Sequence, residues 1–341
     1  MSVPDISSVL SRVAHVLLVN GGFVQSPGLL RGKMGIALFL FHYGRFSGRE
    51  AFAAAASELM EDILSQTDQG SPVDYAEGLA GFGTAVEYLI REQFIEPESG
   101  SVLSAVDEKV YHHLIHHTPE LLWTDCGIPG LGRYFAARKM EEALSRTVDL
   151  LDKSFSSYPV LSGVLDVLAS AYTLNVNAGK ARHYLLYAAD RMETMLREDA
   201  FFGKFPDHFC PSEMSLSLLR AARKTGLTEL AGTASWVLER FGSEQTSPAS
   251  SGQGLQAGAL RTALTCHLLH REVPGAGYDR KSASWLEQAL SEAPGALAGI
   301  PVAAPRGIPE MGLAQGYAGA GMALLTLSGA CSPEWTELLT S

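Results

Sequence analysis

The side chains of this protein that could carry out chemistry stand mostly in front of paired glycines. Asp74 and Glu77 precede one such pair, and Asp125 and Cys126 precede another. Neighbouring carboxylates can act as general acid and general base, as they do in inverting glycosidases. Aspartate is also a preferred residue at the start of a helix, and we favour helix capping as the role of these carboxylates.

A further group with chemical potential is formed by His208 and Cys210, which lie two residues apart. They could begin a metal site or act as a Cys–His nucleophile pair. The same stretch is typical of a loop that enters a helix, because Pro211 suits the first turn and Glu213 suits the positive end of the helix. No second group of metal ligands accompanies them, so Cys210 is the one candidate metal ligand and no bound metal is expected.

The paired glycines recur along the chain, and each pair is followed by an apolar segment. Glycine permits tight turns and close approach of another backbone, and an apolar segment of this kind predicts a buried helix. Seven such repeats can be recognised. Four of them are clear, at 28–35, 78–83, 127–132 and 316–321, and three are weaker, beginning at Ser162, Cys210 and Gln253.

Amphipathic segments separate the glycine repeats. Apolar residues at helical spacing predict outer helices over Ala51–Gln66, Ala181–Arg197, Thr228–Phe241 and Ala283–Leu290. Alternation with a period of two is scarce, which argues against strands. The pattern predicts an all-α fold of about seven inner and seven outer helices that close into an α/α toroid. We expect a single domain over residues 1–341, with the last repeat beside the first.

Residues just ahead of the inner helices would line the mouth of such a ring. They are therefore candidate substrate contacts, although the same residues could be ordinary turn residues. The set comprises Arg31, Glu77, Asp125, Gln253 and Gln315.

Composition limits the class of partner and the compartment. The formal net charge of -11 argues against nucleic acid as a partner, because phosphate binding requires a basic surface. The 4 cysteines contain no Cys-x-x-Cys pair, which indicates a reducing cytoplasm. The N-terminus lacks the pattern of a signal peptide, and no stretch reaches the ~18 apolar residues expected of a membrane span.

The glycine segments resemble the repeats of the lanthionine synthetase C-like family, the lanthipeptide cyclases. The resemblance is carried by Gly78-Leu79-Ala80-Gly81, Gly127-Ile128-Pro129-Gly130 and Gly316-Tyr317-Ala318-Gly319-Ala320-Gly321. It implies the same α/α toroid, with Gly-x-x-Gly turns at the starts of the inner helices. In that family a zinc ion held by two cysteines and a histidine activates a thiol, which closes a thioether ring on a dehydrated peptide.

Residue by residue, the resemblance implies a divergent member with a degenerate zinc site. Asp74 stands at the position of the family's catalytic aspartate, and Cys126 stands where the family has a histidine. Cys210 resembles the first zinc thiolate. The Cys-His-Gly of the sixth repeat is replaced by Gly252-Gln253-Gly254, which contains no usual zinc ligand. The candidate catalytic residues are Asp74, Cys126, His208 and Cys210.

Three hypotheses about function follow. The first is a cyclase homologue without zinc that binds a peptide substrate, or a partner modifying enzyme, at the mouth of the ring. The second is an active zinc-dependent lanthionine cyclase whose ligands lie elsewhere in the chain. The third is a carbohydrate-active enzyme of the α/α-ring type that uses Asp74, Glu77 or Asp125 as acid and base.

Overall fold

A computed structural model describes most of the chain. It covers residues 5–68, 70–97, 103–116, 127–151, 158–203, 210–242, 258–298, 310–314 and 316–339, without the side chains of 158–159 and 293–298. Within these ranges the regular structure consists of helices, and no strand occurs. The prediction of an all-α chain is confirmed.

The helices follow one another with short connections where the loops are described. They are α1 (Ile6–Asn20), α2 (Lys33–Ser47), α3 (Glu50–Gln66), α4 (Leu79–Arg91), α5 (Ser104–His116), α6 (Ile128–Ala137), α7 (Glu141–Leu150), α8 (Tyr158–Thr173), α9 (Ala178–Phe202), α10 (Pro211–Thr225), α11 (Thr228–Phe241), α12 (Ala259–Glu272), α13 (Tyr278–Ala298) and α14 (Tyr317–Leu327). The described residues also contain the 3-10 helices Gly21–Phe23 and Pro333–Leu338. The outer helix expected over Thr228–Phe241 has the observed bounds, whereas α9 extends the expected Ala181–Arg197 at both ends.

Even-numbered helices are the more deeply buried, and we refer to them as the inner helices. Every residue from Lys33 to Gly44 of α2 is buried, and so is every residue from Ile128 to Phe135 of α6. In the outer helix α3 only Phe52, Ala56 and Ile63 are buried. This contrast follows from composition, since a helix that is apolar on all sides must be covered on all sides.

The described residues form two compact units. Unit 1 comprises Met1–Val106 and Ser247–Leu339, and unit 2 comprises Asp107–Thr246 with Thr340–Ser341. In unit 1 the inner helices pack in the order α12, α14, α2 and α4, while α13, α1 and α3 pack against them. The last glycine repeat therefore lies beside the first, as the sequence predicts.

Unit 2 repeats the same arrangement with three inner helices. Helix α8 packs against both α6 and α10, and the outer helices α7, α9 and α11 pack against this row. Helices α8 and α9 are joined by four residues, so they run antiparallel. The N-terminus of the inner helix α8 therefore lies at the same end of the pair as the C-terminus of the outer helix α9.

One helix in the described part of the chain is long and apolar enough to cross a membrane by length and composition. It covers Ile6–Phe23, and 39% of it is buried inside the protein. Its buried residues include Leu10, Val13 and Leu17, and α1 packs against α14 and α2. Packing within unit 1 accounts for the apolar face of this helix.

Candidate functional site at the glycine turns

Three loops in unit 1 lead into inner helices with the same backbone closure. The amide of the first helical residue donates to the carbonyl oxygen seven residues earlier. The three bonds are Lys33 N to Ser26 O at 2.9 Å, Leu79 N to Pro72 O at 3.0 Å and Tyr317 N to Glu310 O at 3.2 Å. We call these loops the first, second and last glycine turns, and each ends on a glycine at the helix N-cap.

The three turns also interlock through their backbones. The amides of Leu30 and Arg31 donate to Ala76 O at 3.0 and 3.2 Å, and Ala314 N donates to Leu30 O at 2.9 Å. A Cβ atom on Gly28 would lie 2.3 Å from Glu77 Cα, a distance that real side chains do not tolerate. Gly28 is therefore required because the first two turns approach each other backbone to backbone.

Asp74 stabilises the second turn from within. Its Oδ1 atom accepts hydrogen bonds from the amides of Ala76 and Glu77, each at 2.8 Å. An aspartate that bonds to the backbone two and three residues later is a common turn-forming device. The N-cap of α4 is Gly78, which has no side-chain cap hydrogen bond, so Asp74 shapes the turn ahead of the helix and the expectation that it caps the helix is wrong. A catalytic role for Asp74 stays a prediction.

Arg31 and Glu77 are brought together by the interlocking of the first two turns. Arg31 Nη1 lies 3.4 Å from Glu77 Oε1, and each side chain is 50% exposed. Both residues stand immediately before the N-cap glycine of their turn. Two of the predicted substrate contacts therefore form one solvent-accessible pair, while Asp125, Gln253 and Gln315 lie outside the described residues.

Cys210 occupies the N-cap of α10, the position that glycine holds at α2 and α4. Its side chain is partly buried, Pro211 is in the first turn, and Glu213 lies near the positive helix end, as expected. The other two cysteine and histidine candidates, Cys126 and His208, lie outside the described residues.

The sixth repeat is described only from its N-cap glycine onward. Helix α12 begins at Ala259, and its N-cap is Gly258, with a φ of 91° that side chains rarely adopt. Gly252, Gln253 and Gly254, which stand where the family has Cys-His-Gly, lie outside the described residues, so their assignment stays a prediction.

The described residues do not fit a zinc site of the expected composition. No group of three or more His, Cys, Asp or Glu side chains within them could hold a metal ion. Cys266 is 1% exposed within α12, and Cys331 contacts His42 in a separate cluster. The thiolates and imidazole that would hold zinc and lower the pKa of a bound thiol are thus not assembled in this part of the chain.

A buried cluster around His42 could not be recognised in the sequence. His42 Nε2 lies 3.0 Å from the Tyr88 hydroxyl, and His42 Nδ1 lies 3.2 Å from Cys331 Sγ. Burial, and then the charge of Arg45, lowers the pKa of His42 to about 3, and burial raises the pKa of Cys331 to about 12. A neutral histidine beside an un-ionised thiol is a structural arrangement and not an activated nucleophile.

A charged cluster joins the three inner helices of unit 2. Asp166 Oδ2 on α8 lies 3.4 Å from Arg133 Nε on α6, and Asp166 Oδ1 lies 3.5 Å from Lys224 Nζ on α10. Burial acts to raise the pKa of Asp166, but the charges of Arg133, Lys224 and Arg220 outweigh it and hold that pKa below its usual value. The sequence signal for this cluster is the presence of charges inside apolar helices.

Comparison with known proteins defines the fold. No protein-family profile matches the sequence, and no curated protein matches it. Among solved structures, nisin cyclase is similar with a TM-score of 0.63 at 14% identity, over 92% of this chain and 92% of that chain. The chain has the lanthionine cyclase fold. The predicted α/α-toroid class and the resemblance to lanthionine synthetase C-like proteins are thereby confirmed at the level of the fold.

Proposed function

We propose that this chain is a lanthionine-cyclase-like protein that binds a peptide during peptide modification and works without zinc. The observation that carries the proposal is the likeness to nisin cyclase over 92% of both chains. At 14% identity this likeness shows the fold, and the peptide-binding role is an inference by analogy with that fold, since individual side chains are free to change.

The residue types argue against zinc-assisted ring closure. Ring closure requires a thiol to be held as a thiolate near neutral pH, and zinc achieves this when two thiolates and an imidazole hold it. Of the three expected ligands, only one has a counterpart, Cys210, because Gly252 and Gln253 stand where the family has its second cysteine and its histidine. The chain thus retains the scaffold for a peptide and lacks the ligand set for the metal.

The glycine-turn end of unit 1 is the surface that we assign to the peptide. The Arg31–Glu77 pair is half exposed there and offers one donor and one acceptor group to a ligand. A cavity of about 140 Å³ lies beside the first two turns, lined by Pro27, Lys33, Ile63 and Pro72 among others. A volume of this size holds a single side chain, since an engineered cavity of about 150 Å³ accepts benzene.

Metal analysis and peptide binding of the purified full chain test the proposal together. The probe is a fluorescein-labelled synthetic peptide that contains dehydroalanine and cysteine, with free thiol counted over time. We expect substoichiometric zinc, an unchanged thiol count and saturable binding that weakens at least fivefold in Arg31→Glu.

Arg182→Glu provides the matched control, because Arg182 and Glu229 form a pair with 3.3 Å separation and side-chain exposures of 48% and 53%. It should bind the probe as the unaltered chain does. One tightly held zinc per chain together with loss of thiol would show an active zinc cyclase instead. Absence of saturable binding would overturn the proposal.

A further inference from the structure

After the last helix pair, the described chain continues into a segment that buries three side chains without belonging to any helix pair. After α14, residues 331–339 include the short 3-10 helix Pro333–Leu338. Trp335, Thr336 and Leu338 are 0%, 3% and 5% exposed, whereas Glu337 faces solvent. We refer to residues 332–339 as the C-terminal segment.

Two hydrogen bonds anchor this segment to inner helices of unit 1. Trp335 Nε1 donates to Thr326 Oγ1 on α14 at 2.8 Å. The hydroxyl of Tyr75, which belongs to the second glycine turn, donates to Leu338 O at 3.0 Å. The two bonds show that the segment reaches from the end of α14 to the turn that begins α4, where the Tyr75 side chain is fully buried.

Charged and polar contacts connect this part of the chain to the two remaining inner helices of unit 1, α12 and α2. Glu334 Oε1 lies 3.9 Å from Arg271 Nη2 on α12, and Cys331 Sγ lies 3.2 Å from His42 Nδ1 on α2. Glu334 Oε2 is buried without a hydrogen-bond partner in the described part of the chain. The acidic contact is therefore loose, and a better placed acid could pair more closely with Arg271.

The segment is held by side-chain anchors and not by a backbone ladder. Within the described residues, no backbone–backbone hydrogen bond joins 332–339 to another element. The connector at 328–330 is exposed and contains Gly329 with a φ of 76°. Docked peptides commonly bind through a buried aromatic anchor with few neighbouring contacts of high energy, and this segment binds in the same manner.

We infer that this surface of unit 1 is a peptide-binding site and that the C-terminal segment is its resident ligand, which an external peptide displaces. The fitting partner is a peptide with an acid, then an aromatic residue, then an apolar residue three positions later, as in Glu334, Trp335 and Leu338. Arg271 and Tyr75 receive the acid and the backbone carbonyl of that peptide. The inference rests on the proposed peptide-binding function and adds the chemistry of the peptide.

Competition between the segment and a free copy of it tests this inference. The probe is a fluorescein-labelled peptide with the sequence of residues 332–341, titrated into the full chain and followed by anisotropy. Trp335→Ala in the chain loosens the resident segment but leaves the receiving surface intact. We expect this variant to bind the probe at least tenfold more tightly than the unaltered chain.

Two controls isolate the effect of the anchor. Glu337→Ala changes an exposed side chain of the same segment and should bind the probe as the unaltered chain does. A probe that carries alanine in place of its tryptophan should not bind. If Trp335→Ala does not fold, as judged by circular dichroism, Leu338→Ala serves as the milder loosening variant.

Equal affinity of the probe for the unaltered chain and the loosened variant would overturn the inference, and so would lack of binding to both. The dehydrated model peptide is measured on the same proteins. If the model peptide binds but the probe has the same affinity for the unaltered chain and the loosened variant, the inference fails and the proposed function stands. If the probe gains affinity while the model peptide binds neither protein, the proposed function fails instead.

Discussion

At the scale of single residues, the glycines of the turns are set by close backbone contacts, either within their own repeat or with a neighbouring turn. A Cβ atom on Gly81 would lie 2.1 Å from Tyr75 O of the turn that begins its own helix, and one on Gly312 would lie 2.4 Å from Leu30 O of the first turn. Backbone atoms cannot move aside as a flexible side chain can. These positions therefore tolerate no side chain unless the backbone of a turn shifts.

Alanine substitution distinguishes these glycines from ordinary ones. We expect Gly81→Ala to lower the free energy of unfolding by about 2 to 3 kcal/mol, the range found for overpacked sites. Gly22→Ala is the control, since a Cβ atom there has no neighbour within 4 Å, and it should change stability by less than about 0.5 kcal/mol. Urea unfolding of both variants measures the difference, and equal stabilities would contradict the interpretation.

His42 makes the stability of the chain depend on pH. It is 8% exposed, and burial, followed by the charge of Arg45, lowers its pKa to about 3. Between pH ~6.5 and that pKa the unfolded chain binds a proton that the folded chain does not. Stability from this residue is therefore complete above pH ~6.5 and falls by about 1.4 kcal/mol per pH unit below it.

His42→Gln should remove this part of the pH dependence. We expect the slope of unfolding free energy between pH 7 and pH 5 to become flatter than in the unaltered chain, whatever the change in stability at pH 7. The exposed His15, substituted in the same way, serves as the control and should keep the original slope. Parallel slopes for all three proteins would show that His42 titrates normally.

At the scale of elements, charges as well as apolar contacts hold inner helices together. In unit 2 the Asp166 carboxylate lies between Arg133 of α6 and Lys224 of α10, and Lys224 Nζ also donates to Ser170 Oγ at 2.7 Å. In unit 1 the buried Lys33 of α2 pairs with Asp62 of α3. An ion pair in such surroundings matters chiefly when one partner is removed, because the other is left buried.

Asp166→Asn should destabilise the packing of α6, α8 and α10. The Arg133 side chain is only 7% exposed, so its charge would lose its compensation at a cost of about 2 to 3 kcal/mol; this lies below the full cost for a deeply buried pair because Asp166 is 34% exposed. The lowered pKa of Asp166 means that its contribution is present above the pKa of the unfolded carboxyl and is lost as the pH falls through the lowered folded value.

Denaturant unfolding at pH 7 and acid unfolding measure the two effects. Asp149→Asn is the control, because Asp149 pairs with Lys180 at 2.7 Å on the surface, with side-chain exposures of 49% and 36%. Exposed pairs contribute about 0 to 1 kcal/mol, so this variant should remain close to the unaltered chain. A similar decrease in the free energy of unfolding in both variants would contradict the expectation that Asp166 matters more than a surface carboxylate.

At the scale of the whole molecule, one repeated unit accounts for the fold. Buried inner helices covered by outer helices occur in both units, and the likeness to nisin cyclase covers 92% of the chain at 14% identity. A scaffold can persist at such identity because its requirements are a glycine where backbones touch and apolar residues where helices are covered. Those requirements leave most side chains, including metal ligands, open to replacement.

Spacing along the chain predicts those features that depend on near neighbours. The helices, their alternating burial and the turns at Gly32, Gly78 and Gly316 all follow from spacing within a few residues. The start of a helix is predicted less sharply where several glycines stand close together, as they do ahead of α12. The structure has Gly258 at the N-cap of that helix.

Contacts between residues far apart in the chain depend on the folded arrangement of the helices. His42 contacts Tyr88 and Cys331 across separations of 46 and 289 residues, and Tyr75 bonds to Leu338 across 263. No spacing rule links positions so far apart, since their distance depends on how all the intervening helices pack. The same reason explains why the pairing of Arg31 with Glu77 and the burial of the C-terminal segment became visible only in the folded chain.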